Sequence, residues 1–243
     1  MKIGLGVLTY NRPEYFKQCL EGIDKHLNKV VDVLEVYEDK SDDKYREEYD
    51  KIYQTSPHHL GLTIPDKHTY IAIGKNHLLK SLMEKGCDWL FLVEEDVVPQ
   101  SEKAVTGYLE AAKLSGIEHL NFHAHGPLNV TPVLQGEVIT LWPNLVGAWS
   151  MYSRKCIETV GYMDEKFVNA IEHVEHTQRI VMAGLSTPMY QFADATGSEE
   201  WIKEIPGSLN TSTIRNDPHN QERYLEAVKY WQEKYDWPVD PNL

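Results

Sequence analysis

Leu90-Phe91-Leu92-Val93-Glu94-Glu95-Asp96-Val97-Val98-Pro99 is an apolar run that ends abruptly in three carboxylates. With Trp89 before it, the run reads as a strand buried on both faces, the pattern of a parallel sheet. Three acids cannot share that core unpaired, because an unpartnered buried charge is too costly. They belong at the carboxyl edge of the sheet, where α/β proteins bind their ligands. Acids so placed suit a hard divalent cation, which takes oxygen ligands, and such a cation would neutralise a diphosphate.

Outward from this strand, strand-like and helix-like periods alternate. Residues 2–9, 30–38 and 119–123 read as strands, and residues 14–26, 41–53, 71–85 and 101–114 as helices. Pro13 suits the first position of a helix, where its missing N–H does no harm. Gly86 is placed to end the third helix. The alternation predicts an α/β fold with a mostly parallel central sheet flanked by helices. The second half is less regular. Residues 130–134 and 137–141 around Gln135-Gly136 read as a hairpin, 144–152 and 188–193 as strands, and 153–160 and 172–183 as helices. Residues 195–219, rich in Gly, Ser, Thr, Asn and Pro, read as a long loop before a last helix over 220–235.

Composition narrows the class. Of the 243 residues, 42% are hydrophobic and 25% charged, the balance of a soluble globular protein. The net charge of −13 argues against gripping nucleic acid through its phosphates. No apolar run approaches the roughly 20 residues of a membrane span. The opening residues read as a strand rather than a signal peptide, so the expected location is the cytoplasm. Cys19, Cys87 and Cys156 are far apart and form no C-x-x-C pair, which favours three reduced thiols.

Five segments, in order, resemble family 2 glycosyltransferases of the GT-A fold. Val7-Leu8-Thr9-Tyr10-Asn11-Arg12-Pro13 is similar to that family's opening strand and nucleotide loop. Val36-Tyr37-Glu38-Asp39-Lys40-Ser41-Asp42-Asp43 resembles its Asp-Asp-Gly-Ser segment, with Lys40 where the glycine usually stands. Gly74-Lys75-Asn76 resembles its Ala-Arg-Asn helix start, and Val93-Glu94-Glu95-Asp96 sits at its Asp-x-Asp metal motif. Gly161-Tyr162-Met163-Asp164-Glu165-Lys166-Phe167, then Glu172 and Gly184, resembles the run before the acceptor-side helix. The resemblance spans roughly residues 3–193. It implies one GT-A-like catalytic domain over 1–243, with 1–125 as the nucleotide-sugar half and 126–243 as the acceptor-side half.

It also implies the activity: transfer of a hexosyl or pentosyl group from a nucleotide-sugar, a UDP-sugar being favoured, to an acceptor hydroxyl with inversion. The acceptor is left open among a glycan, a protein and a modified nucleobase. Mn²⁺ or Mg²⁺ would stabilise the departing diphosphate. Asp96 is the expected direct ligand, with Glu94 on the same face of the extended segment and His219 as a further ligand. Thr9, Tyr10, Asn11, Arg12, Glu38, Asp39, Lys75, Glu94, Glu95 and Trp149 are the expected nucleotide-sugar contacts, and Arg215 a diphosphate cation. The family's base position falls on Glu172-His173. Glu172 ranks first, and His173, an imidazole suited to general-base work, second. His123 and His125 are candidates for the acceptor cleft. Two other readings remain: a nucleotidyltransferase, disfavoured because no Gly-rich loop follows the first strand, and a noncatalytic carbohydrate- or nucleotide-binding protein.

Overall fold

The computed structural model describes residues 1–56, 60–124 and 130–238. The expected buried strand is present as β4 (Trp89–Glu94). It pairs in parallel with β1 (Ile3–Thr9), which pairs in parallel with β2 (Val33–Glu38), which in turn pairs with the short β3 (Gly61–Thr63). On the other side β4 meets β9 (Trp149–Ser153) antiparallel, and β9 meets β6 (His119–Asn121). The main sheet therefore runs β3-β2-β1-β4-β9-β6 and is parallel through its first four strands. Two small antiparallel ribbons complete the described strands. One joins β7 (Leu134–Gln135), β8 (Ile139–Trp142) and β10 (Phe192–Ala195); the other joins β5 (Val97–Pro99) to β11 (Ile202–Glu204).

Side-chain alternation divides the core into two layers. Leu5, Val7, Phe91 and Val93 face α1 (Pro13–His26), α2 (Arg46–Thr55) and α4 (Lys103–Ser115). Leu8, Leu90 and Leu92 face α3 (Tyr70–Glu84), α5 (Arg154–Val160) and α6 (Glu172–Met182). The glycines of β1 admit α3 closely: a Cβ on Gly6 would lie 2.9 Å from Leu78 Cβ, and one on Gly4 would lie 2.7 Å from Leu82 Cδ2. Beyond the four-residue α7 (Ser198–Trp201), the last helix, α8 (Asn220–Tyr235), sets Trp231 and Ala227 against Phe167, Val174 and Phe192 as a third cluster.

Several boundaries differ from the sequence reading. Residues 144–148 are not a strand. Their apolar side chains Leu145, Val146 and Ala148 are buried in a loop that lines a cleft, and apolarity alone does not distinguish the two. The long loop expected over 195–219 contains α7 and β11, too short for periodicity to register. The three cysteines are buried and separate from one another. Among the described residues no helix is long and apolar enough to cross a membrane.

Candidate active site

The carboxyl ends of β1, β2 and β4 open into a cleft of about 780 Å³, within the range of small-molecule sites. Residues from both halves of the chain line it, among them Tyr10 and Asp96 from the first half and Asn144, His173 and Asp217 from the second. Four non-glycine residues around it hold left-handed backbones: Asn11 (φ 57°), Lys40 (φ 57°), Tyr70 (φ 69°) and Ile171 (φ 54°). For a β-branched residue such as Ile171 this is strained, and such strain concentrates at functional sites. Lys40 adopts the conformation that the glycine of the resembling motif would take without cost.

The three acids at the end of β4 each meet a fixed cation. Arg12, buried at the start of α1, places Nη1 3.1 Å from Asp96 Oδ2 and 3.4 Å from Glu95 Oε1. Its Nη2 donates to the Ser208 carbonyl at 3.0 Å. Burial, relieved in part by Arg12 and reinforced by the Asp96 charge, pushes the Glu95 carboxyl up to about 8. Lys75, at the start of α3, donates to Glu94 at 2.7 Å and to Glu172 at 3.4 Å, and reaches the Gly147 carbonyl at 3.4 Å. Gly147 has no side chain for a physical reason: a Cβ there would lie 3.0 Å from Lys75 Nζ and 3.2 Å from His173 Cγ.

Glu172 opens α6 directly after the left-handed Ile171 and is 2% exposed. Burial by itself would raise its carboxyl. His173 and Lys75 overcome that and hold it at about 2. His173 Nδ1 lies 3.1 Å from Glu172 Oε1, and the ring lines the cleft.

A second wall is aromatic. Tyr10 stacks on His68 with ring centroids 4.0 Å apart, and Tyr70 meets His68 edge-on at 4.2 Å. Asp39 builds this wall. One carboxylate oxygen accepts from the Thr69 amide and hydroxyl at 2.7 Å each, and the other from the Tyr70 amide at 2.8 Å. The latter oxygen also lies 2.9 Å from His68 Nδ1. Burial works against a charged His68 ring, but the Asp39 carboxylate prevails and raises its basicity.

The structure thus brings Tyr10, Asn11, Arg12, Asp39, Glu94, Glu95, Asp96, Glu172, His173 and Arg215 to one cleft, with Lys75 tying its floor together. Four expectations are corrected. Trp149 is fully buried, packed 6.1 Å from the Phe91 ring on the α1 side of the sheet, and has no face for a sugar. Glu38 is fully buried and holds the Ser41 amide and Arg46, closing the turn after β2. Thr9 is buried and bonds the Tyr49 hydroxyl at 2.7 Å. His219 is an exposed residue before α8 whose ring faces Glu222 at 3.3 Å, outside the cleft lining. His123 is stacked on Trp142 at 3.5 Å and bonded to Asp194, also outside the lining; His125 lies outside the described residues. The sequence reading missed His68, Tyr70, Asn144 and Asn169. Only His68-Thr69-Tyr70 carried a signal, a hydroxyl residue just before a helix.

Oxygen-bearing acids are the right donor chemistry for Mn²⁺ or Mg²⁺, but their arrangement does not fit such an ion. Arg12 spans Glu95 and Asp96, Lys75 lies on Glu94, and no three metal-ligating side chains converge among the described residues.

No protein-family model matches the chain, and no curated protein matches it in sequence. Solved structures match its fold. The crystal structure of S. aureus TarS 1-349 in complex with UDP aligns with a TM-score of 0.60 at 13% identity, over 98% of this chain and 72% of that one. The same protein in complex with UDP-GlcNAc aligns at 0.58 and 12% identity, over 98% and 74%. Mannosyltransferase PcManGT from Pyrobaculum calidifontis, in complex with GDP-Man and Mn²⁺, aligns at 0.53 and 11% identity, over 99% and 76%. The fold is the GT-A glycosyltransferase fold.

Proposed function

We propose that this protein is a glycosyltransferase that moves a sugar from a nucleoside diphosphate to an acceptor hydroxyl with inversion. The observation that carries the reading is the cleft at the carboxyl ends of β1, β2 and β4, in a fold whose relatives hold UDP, UDP-GlcNAc and GDP-Man. The two halves of the chain act as one catalytic unit, since both line the cleft.

On this reading the Tyr10–His68–Tyr70 wall takes the nucleoside, base against aromatic ring. Asp39 positions that wall rather than reading the base, because both its oxygens are engaged within the protein. Arg12 at the floor and Arg215 at the exposed rim face the diphosphate, whose charge grows as the glycosidic bond breaks. As arranged, Arg12 and Lys75 occupy the acids; a divalent ion, were it bound, would be held by Asp96 and Glu94 only with Arg12 moved off Asp96, and would supply charge stabilisation to the departing diphosphate. A UDP-sugar remains the favoured donor, and the acceptor is a glycan, a protein or a modified nucleobase. Inversion requires one base beside the acceptor and no covalent nucleophile, and the Glu172–His173 pair borders the cleft, tied to Glu94 through Lys75.

The test is calorimetric titration of nucleoside diphosphates and their sugars, with Mn²⁺ or with chelator, followed by donor turnover. One diphosphate binding at this cleft and being released from its sugar supports the reading. Tight nucleotide-sugar binding with no turnover, acceptors supplied, favours a noncatalytic binding protein.

A further inference from the structure

Given that transferase reading, on which this inference rests, the geometry points to His173 as the base that takes the acceptor proton, with Glu172 and Lys75 as its positioning residues. The two side chains at the base position are unequal. Glu172 is 2% exposed, and the same oxygen, Oε1, faces Lys75 at 3.4 Å and His173 Nδ1 at 3.1 Å. Its Oε1 is thus committed to two partners. His173 is partly exposed on the cleft wall, and among the described residues its Nε2 has no hydrogen-bond partner.

A carboxylate on Nδ1 fixes the imidazole tautomer: Nδ1 carries the proton and donates it to Glu172, so Nε2 presents its lone pair. The carboxylate then stabilises the imidazolium that forms, the logic of a carboxylate–histidine pair in acyl transfer. Lys75 anchors the pair. Its ammonium ties Glu172 to Glu94, at the end of β4, so the base and the acidic edge are set by one buried cation. Gly147 completes the fit, since any side chain there would press on both Lys75 and His173. A carboxylate held ionised this firmly is a weak proton acceptor and a good partner for a cation.

The step balances as follows. The acceptor O–H proton passes to His173 Nε2, and the acceptor oxygen forms a bond to the anomeric carbon from the face opposite the leaving group. The bond from that carbon to the diphosphate oxygen breaks, and its electron pair leaves with the nucleoside diphosphate. The imidazolium returns the proton to solvent.

The test uses the whole chain with UDP-GlcNAc and GDP-mannose as probes and water as the acceptor. Diphosphate release and nucleotide affinity are followed for wild type, His173→Ala, His173→Gln and Glu172→Gln. Both His173 variants are expected to lose roughly 100-fold or more in kcat, with UDP and GDP affinity unchanged. Added imidazole is expected to restore part of the His173→Ala rate, which a merely structural histidine would not allow. Glu172→Gln is expected to lower kcat by about tenfold while leaving KM for the sugar nucleotide near wild type. The assignment is overturned if either His173 variant keeps kcat, or if nucleotide affinity falls together with the rate and imidazole restores nothing. Wild type that neither binds nor hydrolyses the probes refutes the transferase reading itself, and the base assignment with it. Turnover in wild type that survives loss of His173 refutes the base assignment alone.

Discussion

Lys75→Met removes the one cation that Glu94 and Glu172 share. Lys75 is almost fully buried, and so is Glu172. Removing one member of a buried pair leaves the other as an uncompensated charge and costs about 3–5 kcal/mol. Against the opposing effect of burial, Glu172 falls from an ordinary 4.5 to about 2 in the folded protein, His173 being the larger lowering cause and Lys75 the second; the whole depression is worth about 3 kcal/mol by linkage, of which Lys75 supplies a part. The two figures describe overlapping interactions and do not add. The sign follows from the depressed value: the contribution is complete above the ordinary carboxylate value and disappears as pH falls towards 2. Guanidinium denaturation at pH 7 should therefore find Lys75→Met less stable by about 3–5 kcal/mol. In acid, as Glu172 takes up its proton, the gap between variant and wild type should narrow to about 1 kcal/mol near pH 3. A loss below about 0.5 kcal/mol at neutral pH, or a gap of constant size down to pH 3, would refute the reasoning, because either result means that Glu172 does not depend on this ammonium.

Gly6→Ala forces a Cβ into Leu78 and should cost about 1–3 kcal/mol in denaturant melts without changing nucleotide affinity. Asp39→Ala removes the acceptor for three hydrogen-bond donors of the Thr69–Tyr70 turn. Nucleotide affinity, read by calorimetry, should fall about tenfold, the equivalent of one to two lost charge-assisted bonds; unchanged affinity would detach the aromatic wall from nucleotide binding. Arg12→Ala uncovers Glu95 and Asp96 and should raise Mn²⁺ affinity by roughly tenfold or more as the competing cation is lost. Manganese electron paramagnetic resonance would detect this, and weaker Mn²⁺ binding in the variant would mean that Arg12 and the ion do not compete.

Much of the frame was legible because it is written in local periods. Ile3–Thr9, Pro13–His26 and Asn220–Tyr235 follow apolar spacing closely, and their ends carry local signals such as Pro13. Ile202–Glu204 was not legible, since three residues carry no period and their partner, Val97–Pro99, is remote in sequence. The site divides along the same line. That acids crowd the end of the strand at Glu94 follows from the sequence itself. That Arg12 covers two of them and Lys75 the third is a matter of long-range packing, with no spacing rule to reveal it. Trp149 illustrates the failure most plainly. A tryptophan at a strand start reads the same whether it faces a sugar or the core, and only the register that pairs it with Val93, beside Phe91, decides. Asp39 lines the cleft, but the turn that consumes its oxygens lies thirty residues further on, beyond the reach of local spacing.

The bond from Arg12 to the Ser208 carbonyl, and that from the Thr211 hydroxyl to Tyr15, each join positions 196 residues apart. A ribosome delivers the first member of each pair long before the second. The acids at the end of β4 and the arginine that covers them can meet early, but the carbonyl that fixes the arginine's far side arrives only after Ile202–Glu204 has been added to Val97–Pro99. The cleft is therefore completed late in synthesis, and a nascent chain interrupted before Ser208 carries the acidic edge without the segment that closes it.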